Sequence, residues 1–153
     1  MNVIAREAGL GVGTVYRHFP TRQSLLETVA ADGFGDLVSL AQSAAGHDDP
    51  EKALRALLGG TLRCLHQKPG MAAVLESTEF ACLETVQMAA GLMDAVQSVL
   101  QRARKAGLVR PNITTSDIRR LVLGLHHAQT LPGDASRPTA YLNVLLDGLR
   151  RPG

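Results

Sequence analysis

The sequence predicts an all-α protein of 153 residues, with two short helices and a tight turn at its start and a larger helical bundle after them. Apolar residues recur every three or four positions, and no stretch alternates apolar and polar residues as a half-buried strand would. Glycine and proline breaks separate these periodic segments, and helix-capping residues flank several of the breaks. Aromatic residues make up only 3% of the chain, so Leu, Val, Ala and Met must form the core.

The first two helices are predicted over residues 2–8 and 12–18. Gly9 lies between them and permits the left-handed backbone that a tight interhelical turn often needs. Leu10 is expected to fill the gap between the two helices, and Val15 is expected to face the core. This arrangement is typical of a helix-turn-helix, which needs at least one further helix to cover its apolar side.

A long third helix is predicted over residues 22–44, capped by Thr21. Gly33 and Gly35 weaken it, so a kink is expected there. Its apolar side is predicted to comprise Leu25, Leu26, Val29, Leu37, Leu40 and Ala41.

Asp49 is predicted to cap the next helix, with Pro50 at the first position, where its missing N–H costs nothing. A short helix near residues 71–80 and a long one over residues 83–105 follow. Gly107 suits the left-handed position just beyond the end of the long helix.

Two helices complete the predicted bundle. Thr114 and Asp117 resemble a capping box for a helix that runs to about Gln129. Ser136 is expected to cap the last helix, with Pro138 in its first turn.

Composition excludes several classes of protein. The net charge of +2 rules out a general polycation, so any nucleic-acid interface must be local. No signal peptide opens the sequence and no apolar run is long enough for a membrane span, so the protein is predicted to be cytoplasmic. Cys64 and Cys82 lie in helical apolar patterns; they are interpreted as small buried hydrophobes, with a disulfide as the alternative.

The second helix carries groups suited to the phosphates of DNA. Thr14, Tyr16 and His18 can donate hydrogen bonds to phosphate oxygens, and Arg17 and Arg22 add positive charge. These residues belong to the string IAREAGLGVGTVYRHFPTRQSLL, which begins at residue 4 and resembles the TetR family of bacterial regulators. The residues that carry the resemblance are Ile4, Ala5, Ala8, Gly9, Thr14, Tyr16, His18, Phe19, Arg22, Leu25 and Leu26.

The resemblance implies a role for each DNA-facing position. It implies that Thr14, Tyr16, His18 and Arg22 contact the DNA backbone, and that Val12, Gly13 and Arg17 lie near base edges. Phosphate contacts fix the register of such a protein, and base contacts supply sequence preference.

The end of the chain, RPTAYLNVLLDGLR, is similar to a subgroup of the same family. The resemblance implies a double-stranded DNA operator, a small-molecule effector and a homodimer formed through the last two helices. It divides the chain into residues 1–44, a partial DNA-binding domain with a connecting helix, and residues 45–153, a TetR-like ligand-binding and dimerisation bundle.

Family members carry one more helix before the position of Asn2, and that helix is expected to be missing here, which would leave the helix-turn-helix incomplete. Two explanations compete: a misassigned or removed start, and a genuine short form. The first is favoured because the retained motif is intact.

The bundle supplies candidate sites for the effector and for the second subunit. For the residues of both candidate sites, plain core packing is the alternative explanation. The candidate ligand pocket comprises Met71, Leu75, Glu79, Phe80, Met88, Met93 and His126. The candidate dimer interface comprises Leu121, Leu125, Tyr141, Leu142, Leu145 and Leu149.

No catalytic, metal or cofactor site is predicted. The adjacent His126 and His127 point to different sides of a helix, whereas a metal pair needs a spacing of three or four. The glycines Gly9, Gly11 and Gly13 lack the spacing and the preceding strand of a dinucleotide-binding loop.

The leading hypothesis is therefore a ligand-controlled, dimeric repressor. The alternative is a helical ligand-binding or dimerisation module that has lost DNA binding with its first helix. An all-helical enzyme is the distant third hypothesis.

Overall fold

The computed structural model describes residues 1–132 and 137–150, and these residues form eight α-helices and no strand. The predicted all-α class is confirmed. No helix in these two ranges combines the length and hydrophobicity needed to cross a bilayer. The helices are α1 (Asn2–Glu7), α2 (Val12–His18), α3 (Arg22–Ala45), α4 (Pro50–Gln67), α5 (Met71–Glu76), α6 (Leu83–Lys105), α7 (Thr115–Thr130) and α8 (Pro138–Leu149).

Three predicted N-caps are confirmed. The Thr21 hydroxyl accepts a hydrogen bond from the Ser24 N–H at 3.0 Å, and the Asp49 carboxylate accepts from the N–H groups of Glu51 and Lys52. Thr114 and Asp117 form the predicted capping box at the start of α7. The predicted cap at Ser136 lies outside the described residues.

The long helix α3 is continuous through Gly33 and Gly35. A Cβ at Gly33 would lie 3.0 Å from Lys68 Cβ and 3.0 Å from Met71 Cγ, so this glycine permits a close helix approach. Val29, predicted on the apolar side, is 60% exposed, because the buried stripe of α3 passes through Glu27 and Ala30 instead.

The helix predicted near residues 71–80 ends early, at Glu76. Ser77 is extended, and its hydroxyl donates to the Glu79 carbonyl at 2.5 Å. Such local bonds from a side chain to the backbone compete with helix formation. The segment of residues 77–82 therefore connects α5 to α6 as an irregular strap, and it borders the cavity described below.

The main core lies among α3, α4 and α6, with α5, α7 and α8 packed around them. It begins at Ala30 and includes the fully buried side chains of Phe34, Leu58 and Val99. The helices α1 and α2 pack against each other, and their buried residues Ala5 and Val15 lie outside this core. The first two helices thus form a small unit outside the main core.

Gly60 lies where α4 packs closely against α3. A Cβ at this position would lie 2.4 Å from Leu40 Cδ2 and 3.0 Å from Leu40 Cγ, so Leu40 would have to move. Overpacking of this kind costs about 1–3 kcal/mol, partly offset by the better helix propensity of Ala. In chemical denaturation, Gly60→Ala should therefore be less stable than the matched control Gly35→Ala, whose Cβ meets no atom within 4 Å. Equal stability of the two variants would contradict the packing described here.

Candidate nucleic-acid interface and ligand cavity

The turn between α1 and α2 is a helix-terminating motif centred on glycine. Gly9 has φ +66°, as its sequence position predicted. The Leu10 N–H donates to the Ala5 carbonyl at 2.9 Å, and the Gly9 N–H donates to the Arg6 carbonyl at 3.1 Å. This pair of bonds satisfies the last carbonyls of α1 and directs the chain into α2.

One face of α2 is buried, and the rest of the helix is exposed. Val15 is 5% exposed and faces inward, as predicted. Val12 and Tyr16, one turn apart, are 42% and 46% exposed. Within the described part of the chain, the side chains on the outer face form no hydrogen bond or ion pair, so they are available to a partner. The exposed residues that the sequence predicted for DNA contact are Val12, Gly13, Thr14, Tyr16, Arg17 and His18, together with Arg22 at the start of α3.

The apolar cover of this unit is thin. Leu10, predicted to fill the gap between the helices, is instead 53% exposed, and Ile4 is 42% exposed. Phe19 is half-buried, with its ring centroid 6.4 Å from that of His18. The stability of α1 and α2 therefore depends on a few small contacts.

A buried carboxylate joins α3 to the start of α6. Glu27 is 2% exposed. Its Oε1 accepts a hydrogen bond from the Ala81 N–H at 2.7 Å, and its Oε2 accepts one from the Cys82 N–H at 2.8 Å. The carboxylate accepts a third hydrogen bond, from the Gln23 side-chain amide to Oε1 at 2.8 Å. The end of the 77–82 strap is thus fixed to α3, the helix that follows α1 and α2.

The ionised form of Glu27 is favoured in the folded protein. Burial alone raises the pKa of this carboxyl. The hydrogen bonds from Ala81, Cys82, Gln23 and Thr85 outweigh burial and leave the pKa below its ordinary value of 4.5. Sequence reasoning missed this residue because its partners lie 54 and 55 positions away.

A cavity of about 290 Å³ lies between α3, α4, α6 and α7 and is bordered by α5 and the 77–82 strap. Its wall is largely apolar and includes Phe34, Leu57 and Val96. Phe34 and Phe80 both line it and pack against each other, with ring centroids 6.3 Å apart. One cationic side chain, Arg119, also lines the space. The cavity can hold a small, mainly apolar molecule.

Three of the seven residues predicted for a ligand pocket line this cavity. They are Leu75, Phe80 and Met93.

The other four are placed elsewhere. Met71 is fully buried against Gly33, and Met88 packs on the core. Glu79 is exposed. His126 lies outside the cavity lining, where burial lowers its pKa and the nearby His66 and His127 lower it further.

The residues predicted for the dimer interface divide between the surface and the core. Leu121 and Tyr141 are 41% and 39% exposed, whereas Leu149 is only 2% exposed and packs inside its own chain. Leu125, Leu142 and Leu145 are half-buried. Val144, which was not predicted, is 71% exposed and is the most exposed large apolar side chain of α8.

Both cysteine thiols are free and half-buried, so the two residues do not form a disulfide. The Cys64 thiol donates to the Gly33 carbonyl at 3.4 Å. Within residues 1–132 and 137–150, no three His, Cys, Asp or Glu side chains come together as a metal site would require.

Comparison with protein families gives two matches. Residues 1–29 match the family described as bacterial regulatory proteins, tetR family. Residues 49–151 match the family described as transcriptional regulator SbtR-like, C-terminal domain. No curated protein matches the chain significantly.

Several solved structures share the fold along nearly the whole chain. The TetR transcriptional regulator SCO0520 from Streptomyces coelicolor is 30% identical, with a TM-score of 0.61 over 98% of this chain and 86% of that one. A TetR transcription regulatory protein from Mycobacterium vanbaalenii is 28% identical, with a TM-score of 0.55 over 97% and 81%. The TetR family regulator PfmR from Thermus thermophilus is 20% identical, with a TM-score of 0.63 over 97% and 84%, and supports the fold alone.

The Glu27 contact predicts a specific loss of stability in Glu27→Gln. Both carboxylate oxygens accept from backbone N–H groups, so the amide of Gln must turn its NH₂ toward one of them. Two buried N–H donors that face each other without an acceptor cost about 1–3 kcal/mol in the free energy of unfolding at pH 7.

The control is Glu84→Gln, which removes an exposed carboxylate from the first turn of α6, next to the N–H groups that Glu27 accepts from. Because the pKa of Glu27 is lowered on folding, its contribution is fully present above the unfolded value of about 4.5 and is lost as the pH falls below it. Denaturation curves should therefore show the gap between wild type and Glu27→Gln closing below pH 4.5. A gap that is independent of pH would contradict this account.

Proposed function

The chain belongs to the TetR family of bacterial transcriptional regulators, and we propose that it is a ligand-responsive repressor that binds operator DNA as a homodimer. The observation that carries the proposal is the exposed outer face of α2, whose side chains are unpaired within the described residues. A regulator of this kind acts in the cytoplasm, where its DNA target lies. No enzymatic activity is proposed.

In the proposed organisation, residues 1–44 form the DNA-binding unit with its connecting helix, and residues 45–153 form the ligand-binding and dimerisation bundle. Two features support this division. The helices α1 and α2 pack against each other, and the core that encloses the cavity begins only at Ala30.

The DNA contacts are proposed on α2 and the start of α3. Thr14, Tyr16, His18 and Arg22 would donate to backbone phosphates, while Val12, Gly13 and Arg17 would face base edges in the major groove. All seven are exposed, and Val15 on the opposite face anchors the helix. In a twofold dimer, two such helices reach successive major grooves when they stand about 34–36 Å apart.

The dimer is proposed to form through α7 and α8. The exposed Leu121, Tyr141 and Val144 supply apolar surface for a helix-to-helix contact, with the half-buried Leu125, Leu142 and Leu145 beside them. Leu149 supports this surface from within its own chain.

Glu27 provides a route from the cavity to the DNA-binding unit. Ser77, Thr78 and Phe80 of the 77–82 strap line the cavity, and Glu27 holds the end of the same strap. A ligand that displaces the strap changes the hydrogen bonds of Glu27 on α3, five positions after Arg22. Control of DNA binding then requires that the ligand bind the two arrangements with different affinities.

A second function is a ligand-binding or dimerisation module without DNA binding. The exposure of Ile4 and Leu10 favours it, because a thinly covered unit opens readily. DNA titrations separate the two functions.

The first DNA prediction concerns Arg22. Fluorescence anisotropy with the duplex upstream of the coding region should show salt-dependent binding that is tighter than to an unrelated duplex. Arg22→Ala should weaken binding to both duplexes alike and reduce the slope of log K against log salt by about 1.

The control for Arg22→Ala is Lys52→Ala, which removes an exposed charge from α4 and should leave both affinities unchanged. If the wild type shows no salt-dependent, sequence-selective binding, the repressor proposal fails and the module is supported.

The second DNA prediction concerns Gly13. A Cβ there meets no protein atom within 4 Å, so Gly13→Ala should not lower the free energy of unfolding. If DNA approaches this residue closely, one added methyl group overpacks the interface and weakens operator binding by about fivefold or more. Gly35→Ala is the matched control, with an equally open Cβ position on α3. Equal operator affinity of the two variants would remove Gly13 from the interface.

A further inference from the structure

The cavity wall is apolar except at one place. Arg119 is the one charged side chain among the described residues that line it, and no carboxylate joins it there. A ligand that enters the cavity therefore meets positive charge at one point and hydrocarbon elsewhere.

Arg119 has no counter-ion within the described part of the chain. It is half-buried on α7, and its guanidinium takes part in no hydrogen bond or ion pair there. The carboxylate of Asp117, two positions earlier on α7, turns to the N-cap instead: its Oδ2 accepts from the Thr114 N–H at 2.8 Å and from the Thr114 hydroxyl at 2.7 Å. A half-buried guanidinium with free donors is suited to a carboxylate, which matches its planar fork.

The hydroxyl side chains of the cavity wall differ in whether they already form hydrogen bonds. Thr61 donates to the Leu57 carbonyl at 2.7 Å, and Ser77 donates to Glu79, so both are engaged. Thr115 lies one turn before Arg119 on the same face of α7, lines the cavity, and forms no side-chain bond with a described residue. Thr78 also forms no side-chain bond with a described residue, but it is exposed and lies on the strap. Arg119 and Thr115 are therefore the two free donors of the cavity wall that lie together on α7.

The volume limits the size of the ligand. At about 290 Å³, the cavity lies at the lower end of the range for small-molecule sites. The remaining wall, with Phe34, Leu58 and Leu92, offers no second charge for a larger polar group.

We infer that the ligand of this cavity is a small apolar carboxylate, with its carboxylate group on Arg119 and Thr115 and its hydrocarbon part among the leucine and phenylalanine side chains. This inference rests on the proposed ligand-responsive function and names the chemical class of the effector.

Isothermal titration calorimetry of the full chain with three matched probes tests the class. The probes are octanoate, 1-octanol and octylammonium, which share one hydrocarbon chain and differ in charge. Octanoate should bind about tenfold or more tightly than octanol, as expected for a hydrogen bond to a charged group, and octylammonium should bind most weakly. Octanol binding as tightly as octanoate, or no binding of any probe, would overturn the inference.

Three variants test whether Arg119 supplies the positive charge that binds octanoate. Arg119→Gln should reduce octanoate affinity to that of octanol and leave octanol affinity unchanged, whereas Arg119→Lys should keep part of the preference. The control Arg120→Gln removes the adjacent charge, which is exposed and does not line the cavity, and should change neither affinity. Thermal melts of all variants establish that they are folded. A preference for octanoate that survives Arg119→Gln overturns the assignment.

Adding octanoate to the DNA complex separates this inference from the proposed function. Binding measured without DNA decides the ligand class alone. Arg119-dependent octanoate binding that leaves operator affinity unchanged supports the class and counts against ligand control. Operator binding by a protein that takes up no probe supports the DNA-binding function and overturns the class.

Discussion

The buried carboxylate of Glu27 is the contact on which the attachment of the 77–82 strap to α3 depends. The N-cap residue of α6 is Cys82, whose side chain makes no capping hydrogen bond. In a capping box, an acidic residue in the first turn accepts the backbone N–H of the N-cap residue. Glu27 takes that role from a helix 55 positions earlier and adds the Ala81 N–H. One side chain of α3 therefore caps the start of α6 and adds to the core packing that holds the two helices together.

Because the cap of α6 comes from α3, one face of α3 contacts both the strap and the cavity. Glu27 and Phe34 lie seven positions apart, which places them on one face of α3 two turns apart. That face holds the end of the 77–82 strap at Glu27 and forms part of the cavity wall at Phe34. Since α3 also carries Arg22 in its first turn, the proposed displacement of this face would pass along a continuous helix rather than through a loop.

Local signals in the sequence were sufficient for most helix boundaries. Thr21, Asp49 and Thr114 cap helices through atoms two or three residues away, and Gly9 and Gly107 end helices in left-handed conformations. The exposed face of α2 also follows from spacing within one helix. Glu27 and Arg119 could not be assigned in this way. Their roles depend on which helix faces meet, and residues far apart in sequence decide that.

Met71 and Gly33 show why the cavity wall differed from the prediction. A methionine near other apolar residues suits a ligand pocket, and a glycine inside a helix suits a kink. In the structure, the absence of a side chain at Gly33 leaves space that Met71 fills: Met71 Cγ lies 3.0 Å from the position that a Cβ at Gly33 would occupy. This contact sets α5 against α3 and places Leu75, one turn after Met71, in the cavity wall. Met71 thus shapes the cavity from outside it, because it fixes the helix that forms one of its sides.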